Sequence, residues 1–185
     1  MKEKKSYIMS PAGEAQFLYI TRPDTTFDNN GTGKYSVSVV MDPENPEHVE
    51  FVKTIKNIAL KQVGENATLP FRDHVDSYGD ATGKKLVKFS SSYEPKVFDA
   101  WNNPLADDVM IGRGSTVKVA GKVNVYKNIA GRSGVNLYLN AVQVISLVEY
   151  QGGASAESYG FKTEAESPSF AGHQPSFGMA EEIPF

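Results

Sequence analysis

The segment Ser115–Tyr126 constrains the fold of this chain more than any other stretch. Apolar side chains alternate along it with polar ones, and the apolar set is Val117, Val119, Val123 and Val125. Because successive side chains of a strand point to opposite faces, this alternation predicts a β-strand with one buried and one wet face. Gly121 interrupts the pattern in the middle, where a glycine permits a bend or a bulge.

Four further segments predict strands by the same criterion. They are Ala12–Ile20, Lys34–Met41, Leu86–Ser92 (resumed by Lys96–Trp101 after a proline) and Val135–Val148. In the first of them, Ala15, Phe17 and Tyr19 fall on one face. The stretch between Thr68 and Lys85 is polar and predicts no strand, and Val109–Ile111 is too short to assign.

One helix is predicted after the second strand. Asn45 is a suitable N-cap, Pro46 suits the first helical position, and Gly64 ends the segment. Its apolar residues recur at spacings of three and four, which predicts a buried face made of Val49, Val52, Ile55, Ala59 and Val63. We expect this helix to plug one end of a sheet.

Five curved strands with one helix and long loops favour a mostly β protein with a five-stranded antiparallel barrel. The oligonucleotide/oligosaccharide-binding (OB) fold fits best, because its loops flank a binding face. A β-sandwich would give a similar pattern and stays open at this stage. The predicted helix falls between strands two and three, whereas the usual OB order places it between strands three and four.

The charge divides the chain at residue 150. Residues 1–150 hold 18 Lys and Arg against 17 Asp and Glu, whereas residues 151–185 hold one lysine against five glutamates, out of a total net charge of −3. Residues 151–185 also carry too little apolar mass to offset the entropy of ordering. We therefore expect a folded domain over 1–150 and a disordered acidic tail over 151–185.

The last five residues are Glu181, Glu182, Ile183, Pro184 and Phe185. Proline holds the chain extended, so the terminal ring can enter a partner's pocket while the carboxylates meet lysines or arginines. This tip closely resembles the one that ends bacterial and phage single-stranded DNA-binding proteins. Within the body, Tyr93–Asp99 and Leu105–Gly112 resemble the phage-encoded members of that group.

The resemblance implies a protein that coats unpaired DNA without sequence preference in replication, recombination or repair. It also implies that the tip, Glu181 to Phe185, docks replication proteins such as a polymerase, helicase or primase. Localisation would be the cytoplasm of a bacterial cell, including a phage-infected one. The sequence leaves homo-oligomerisation open.

Binding of single strands requires positive charge along the backbone and aromatic faces for the bases. Three basic-aromatic stretches supply such side chains, and we predict DNA contacts for Lys84, Lys85, Lys88, Tyr93, Lys96, Trp101, Lys118, Lys122, Tyr126, Lys127 and Arg132. A merely solvated face is the alternative for the lysines of Ser115–Tyr126. Phe89 and Phe98 could serve either the core or base stacking.

Enzymatic functions find little support. The cluster around Arg72, Asp73 and His74 is the best candidate for a metal or acid/base site, and a polar surface loop explains it more simply. The absence of cysteine excludes disulfides and thiolate ligands. The three histidines, His48, His74 and His173, show no metal-ligand spacing, and no glycine-rich phosphate loop precedes a helix, so we predict no catalytic residues, no metal and no cofactor. No apolar run approaches the ~20 residues of a membrane span, and no signal peptide is visible.

A second function remains open from the sequence. The near-neutral charge of residues 1–150 favours an adaptor that recruits replication proteins through its tail while its body does not bind single strands directly.

Overall fold

Eight strands and one helix make up the part of the chain that the computed structural model describes, which is residues 7–26, 32–128 and 130–149. The helix α1 is Pro46–Gln62. The strands are β1 (Ile8–Met9), β2 (Gly13–Asp24), β3 (Lys34–Met41), β4 (Phe71–Val75), β5 (Ala81–Ser91), β6 (Lys96–Phe98), β7 (Thr116–Lys127) and β8 (Ser133–Ser146). Contacts divide the chain into units over Met1–Tyr150 and Gln151–Phe185. The predicted disordered tail and its tip lie outside the described residues.

Five of the strands form a closed ring in the order β2–β3–β5–β8–β7, with β7 pairing back to β2. The pairings are antiparallel except where β8 runs parallel to β5 and β6. β4 extends the sheet from β5, and β1 extends it from β7. The predicted mostly β fold with five main strands and one helix is confirmed. A β-sandwich is excluded because a single circuit, not two stacked sheets, connects these strands.

Alternate side chains of the ring point inward and form the core. Phe89 and Leu137 are the largest of them on β5 and β8, and both are almost wholly buried. Burial of such a side chain stabilises the fold by about 1.5–3 kcal/mol. Phe89 is therefore a core residue, which settles the choice between core and stacking. Val117 and Val119 of β7 are fully buried as predicted, whereas Val125 at the far end is exposed.

Gly121 is required by close packing. A Cβ at this position would lie 2.9 Å from the Phe89 ring and 2.4 Å from the backbone oxygen of Tyr138. The expected irregularity is present as a register shift between Ala120 and Gly121, and the extra residue, Asn140, belongs to the partner strand β8.

The helix begins and ends as predicted, but its buried face is rotated. The Asn45 side chain accepts a hydrogen bond from the Glu47 amide at 3.0 Å, and Gly64 follows the C-cap. His48 and Phe51 are buried with Ile55, whereas Val49 and Val52 are half-buried. Phe51 and Ile55 join the core cluster of the ring, so the helix covers one end of it.

His48 explains the rotation. Its Nδ1 accepts a hydrogen bond from the Asp42 amide at 2.9 Å, which leaves Nε2 to donate to the Ala12 carbonyl at 2.8 Å. Because buried polar atoms have to be paired, these two hydrogen bonds keep His48 directed inward. Val49 and Val52 are therefore turned partly away from the core.

The prediction of no strand between Thr68 and Lys85 was wrong. β4 and the first residues of β5 form a hairpin there, closed by a turn in which the Asp76 carboxylate accepts the amides of Tyr78 and Asp80. Most residues of this hairpin are solvent-exposed on both faces. A strand that buries neither face has no apolar alternation, so periodicity could not reveal it.

The predicted common face of Ala15, Phe17 and Tyr19 was also wrong. Ala15 is buried, whereas Phe17 is 61% exposed and Tyr19 37% exposed. The register between β2 and β3 shifts between Gln16 and Tyr19, and Phe17 has a φ of +50°. An extra residue in one strand reverses the alternation beyond it, and this bulge turns both rings outward.

Candidate nucleic-acid interface

Several of the predicted DNA-contacting residues, which lie far apart in the sequence, come together on the outer surface of β7, β8 and β6. Lys118 lies opposite Gln143 and Lys122 lies opposite Tyr138 in the β7–β8 ladder. Lys118 and Lys122 are on the same face of β7 and about 13 Å apart along it. We call the surface formed by Tyr7, Lys96, Lys118, Lys122 and Tyr138 the β7–β8 face.

Lys122 has a tyrosine on each neighbouring side, Tyr7 beside β1 and Tyr138 on β8. β1 pairs with β7 so that Ile8 lies opposite Gly121, and the Lys122 ammonium lies 5.2 Å from the centroid of the preceding ring, Tyr7. Tyr138 is its direct cross-strand neighbour, at a typical Cβ separation of about 5 Å. Tyr7 and Tyr138 are each half-exposed. A cation between two accessible rings offers one group for a phosphate and two for bases.

The sequence analysis missed both tyrosines. Tyr138 alternates with Leu137 and Leu139, which was a sufficient signal to place it on an outer face. Its position opposite Lys122 depends on the β7–β8 register, which the sequence does not specify. Tyr7 gave no signal, because its strand contact involves a β1 of only two residues.

β6 adds one more lysine to the same surface. Lys96 lies opposite Ala141, and Phe98 lies opposite Gln143, which also faces Lys118 across β8. Lys96 and Lys118 therefore flank β8 from its two sides. Phe98 is half-buried, so its burial does not decide between a role in the core and a role in base stacking.

Trp101 lies in a tight turn beyond β6, because the strand predicted to run to Trp101 ends at Phe98. The Asp99 carboxylate ends the strand by accepting the amides of Trp101 at 2.9 Å and Asn103 at 2.8 Å. Desolvation opposes ionisation of this carboxyl, but the hydrogen bonds from Asn103 and Trp101 outweigh it and lower the pKa of Asp99. Asn102, at a φ of +67°, accepts a hydrogen bond from the Gln143 side chain at 2.8 Å.

This turn presents the indole to solvent. Trp101 is 80% exposed although the turn around it is fixed by hydrogen bonds. The bond between Asn102 and Gln143 anchors the turn to the β7–β8 face, so Trp101 extends the row of accessible rings. An exposed ring on a rigid support loses little conformational entropy when a base stacks on it.

The end of β7 and the turn that follows it carry three further candidates. Lys127 and Arg132 are exposed, and Asn128 closes the loop by accepting the Arg132 amide at 2.8 Å. Tyr126 lies opposite Gly134, where an added Cβ would approach its hydroxyl to 2.9 Å. Gly134 thus leaves room for the phenol of Tyr126. Lys127 and Arg132 extend the positive charge from the β7–β8 face to the loop between these strands.

The structure does not bring the remaining candidates to this face. Lys84 pairs with Asp42 at 2.9 Å, a hydrogen bond that raises the pKa of Lys84 and lowers that of Asp42. Lys85 pairs with Asp73. Lys88 lines a separate cavity beside the β2 bulge, and Tyr93 is exposed on the loop after β5.

The cluster around His74 has a structural role. Its Nε2 lies 2.8 Å from the Gln16 side-chain nitrogen and its Nδ1 lies 2.7 Å from the Thr82 hydroxyl, so both ring nitrogens are used. Within the described ranges, no group of three His, Cys, Asp or Glu side chains could hold a metal ion. No helix of the same residues is long and apolar enough to cross a membrane.

Comparison with known proteins was made at the level of sequence and of structure. No protein-family model matches the chain, and no curated protein matches it. Solved structures do match, and the fold they share with this chain is that of the single-stranded DNA-binding proteins of bacteriophages. The predicted resemblance to phage-type proteins is thereby confirmed for the fold.

Two of these structures illustrate the extent of the match. The single-stranded DNA-binding protein gp2.5 of bacteriophage T7 aligns at a TM-score of 0.61 and 21% identity, over 89% of this chain and 100% of its own. The single-stranded DNA-binding protein of bacteriophage Enc34, in complex with single-stranded DNA, aligns at 0.63 and 18% identity, over 80% and 91%. Both neighbours are named for their binding of single-stranded DNA.

Proposed function

We propose that this protein binds single-stranded DNA without sequence preference through the β7–β8 face. The observation that supports it most is Lys122, whose ammonium lies beside the exposed Tyr7 ring and opposite Tyr138. Stacking of a base on such a ring contributes about 1–3 kcal/mol and tolerates any base, because every base has a π-face. The shared fold with phage proteins, one of them solved with single-stranded DNA, supports the same assignment.

The charge distribution agrees with a local site. The body as a whole is nearly neutral, with 18 basic and 17 acidic side chains over residues 1–150. Lys96, Lys118 and Lys122 have no ion pair within the described residues, whereas Lys84 and Lys85 do. Unpaired cations are the ones that can release counterions from a phosphate backbone.

A titration tests this function directly. Fluorescence anisotropy of dye-labelled oligo-dT and of a duplex of equal length would be measured against the full-length protein at two salt concentrations. We expect tighter binding of the single strand and a fall in affinity as salt rises. Equal affinity for duplex and single strand, or no binding of either, would contradict the proposal.

We further propose that the protein acts in replication, recombination or repair in the bacterial cytoplasm during phage infection. The tip Glu181–Phe185 would recruit a polymerase, helicase or primase through its terminal ring and carboxylates. Deletion of residues 178–185 should abolish binding to such partners in a pull-down while leaving oligo-dT binding in place. Partner binding that survives the deletion would rule out the tip as the docking peptide.

The near-neutral body keeps the adaptor hypothesis as the second candidate. Trp101 is the one tryptophan of the chain, so its fluorescence reports on this surface alone. Stacking of bases should quench it on addition of oligo-dT. A pure adaptor would show no change.

A further inference from the structure

The bulge in β2 builds a second surface that the β7–β8 face does not include. Phe17 adopts a left-handed backbone conformation, which is uncommon for a bulky residue, and its ring is directed to solvent with that of Tyr19. Backbone strain and two exposed aromatic rings both cost stability. Their persistence in one place suggests a binding role for the rings.

Two grooves flank this aromatic pair. One is a cavity of about 300 Å³ lined by Phe17, Tyr19, Arg72 and Lys88. The other, of ≈ 500 Å³, is lined by the same two rings. Two further cations, Arg22 and Arg113, line this second cavity. The rings thus form a ridge between two cationic grooves.

Cations outnumber carboxylates among the residues that line these grooves. None of the four cations forms an ion pair within the described residues. Asp24 is the acidic residue lining the first groove. Its pKa is lowered by a hydrogen bond from the Thr26 side chain, by one from the Thr26 amide at 3.0 Å, and by the nearby charge of Lys88. Four guanidinium or ammonium groups against one carboxylate favour an anionic ligand.

Small side chains connect this surface to the β7–β8 face. Tyr19 lies opposite Ser36, Ser36 lies opposite Ser90, and Ser90 lies opposite Tyr138. These are three inter-strand steps, which span about 15 Å at ~4.8 Å each. Ser36 and Ser38 line the first cavity, and β3 therefore places no bulky side chain on this path, which we call the serine trough.

We propose that the β2 bulge forms a second segment of the DNA site, which holds a further stretch of the same single strand. Bases would stack on Phe17 and Tyr19 while Arg22, Arg113, Arg72 and Lys88 contact phosphates. This inference rests on the proposed function, because it requires that the β7–β8 face holds the first stretch. A single strand crossing the serine trough would then occupy both segments.

The length of the oligonucleotide separates the two segments. Oligo-dT of about 4 to 16 nucleotides, the range that one OB fold covers, would be titrated by anisotropy against the full-length protein and its variants. Phe17→Gly removes the ring and relieves the left-handed backbone, so it keeps the bulge. We expect this variant to bind the shortest oligonucleotides like the wild type and to lose roughly 5- to 100-fold on the longest, the equivalent of one stacked base.

Arg113→Ala should make the salt dependence shallower by about 0.7 in the log–log slope, again on long oligonucleotides alone. Tyr78→Ala is the matched control, since Tyr78 is an exposed ring at the tip of the β4–β5 hairpin and lines neither groove. It should bind every length like the wild type.

Two outcomes would overturn the second segment. Unchanged affinity of Phe17→Gly at every length would show that the bulge does not contact DNA. Equal weakening at all lengths, the shortest included, would make the bulge part of the first segment. Failure of the proposed function looks different, because the wild type itself would then bind no oligonucleotide.

Discussion

The β7–β8 face and the start of β5 carry similar lysines in the sequence but differ in what those lysines contact. Lys84 and Lys85 are paired with Asp42 and Asp73. Lys122 lies against an aromatic ring instead, with Tyr138 opposite. A basic stretch becomes a candidate binding surface when its charges are unpaired and rings accompany them, and the number of lysines alone does not decide this.

Removal of a ring from the β7–β8 face should have the largest effect. Tyr138→Ala should weaken oligo-dT binding roughly 5- to 100-fold, because one stacked base is lost. The slope of log affinity against log salt should stay the same, since stacking releases no counterions. Anisotropy titrations at several salt concentrations measure both quantities. A changed slope with unchanged affinity would argue against stacking at this position.

Lysine substitutions test most directly whether unpaired and paired lysines differ in their contribution to DNA binding. Lys122→Ala should weaken binding about fivefold, equivalent to about 1 kcal/mol for one solvent-exposed ionic contact, and reduce the salt slope by about 0.7. Lys85→Ala, the matched control on β5, should change neither. If the two variants behaved alike, the distinction between paired and unpaired lysines would be wrong.

The Trp101 turn should show a smaller effect. Asp99→Ala removes the acceptor for two amides, so the indole loses its fixed position and affinity should fall about two- to threefold, within the range of one lost hydrogen bond. Trp101→Ala should lose more than Asp99→Ala. An Asp99 variant that binds like the wild type would show that the turn need not be ordered in advance.

The same carboxylate predicts a pH dependence. Its hydrogen bonds lower the pKa of Asp99 below the ordinary value of 3.8, so their stabilising contribution is complete above 3.8 and is lost as the pH falls through the folded-state pKa. Trp101 fluorescence should therefore stay constant from neutral pH to about 4.5 and change below 3.8 in the wild type. The Asp99→Ala variant should not show that acid transition.

The smallest effect should come from releasing a paired lysine. Asp73→Asn removes the partner of Lys85 and makes this cation available. We expect a slight gain in affinity at low salt, less than twofold, that disappears at high salt because an exposed charge is screened. A large gain would mean that the start of β5 already lies in the path of the DNA.

The sequence predicted the elements that bury one face and missed those that do not. The sequences of β3 and β7 alternate because the core takes every second side chain, and the helix ends follow from local hydrogen bonding at Asn45 and Gly64. The β4–β5 hairpin exposes both faces and left no such pattern. The bulge at Phe17 reversed the alternation of β2, and a register shift cannot be recognised from side-chain type.

The sequence was sufficient to predict the lysines of the candidate site, but not the aromatic and acidic side chains that lie next to each lysine. Lys118 and Lys122 were assigned from the wet face of one strand, and the structure does place them together. Tyr7 and Tyr138 come from distant parts of the chain, and only strand pairing brings them to Lys122. The ion pairs that occupy Lys84 and Lys85 depend likewise on tertiary contacts with Asp42 and Asp73.

One measurement tests the central claim most directly, which is that the β7–β8 face binds single-stranded DNA. Backbone amide chemical shifts of the ¹⁵N-labelled full-length protein would be recorded during addition of oligo-dT. The account predicts progressive shifts at Lys118, Lys122 and Tyr138, with the tip of the β4–β5 hairpin around Tyr78 unchanged. Shifts concentrated at that hairpin, with β7 and β8 unaffected, would contradict it.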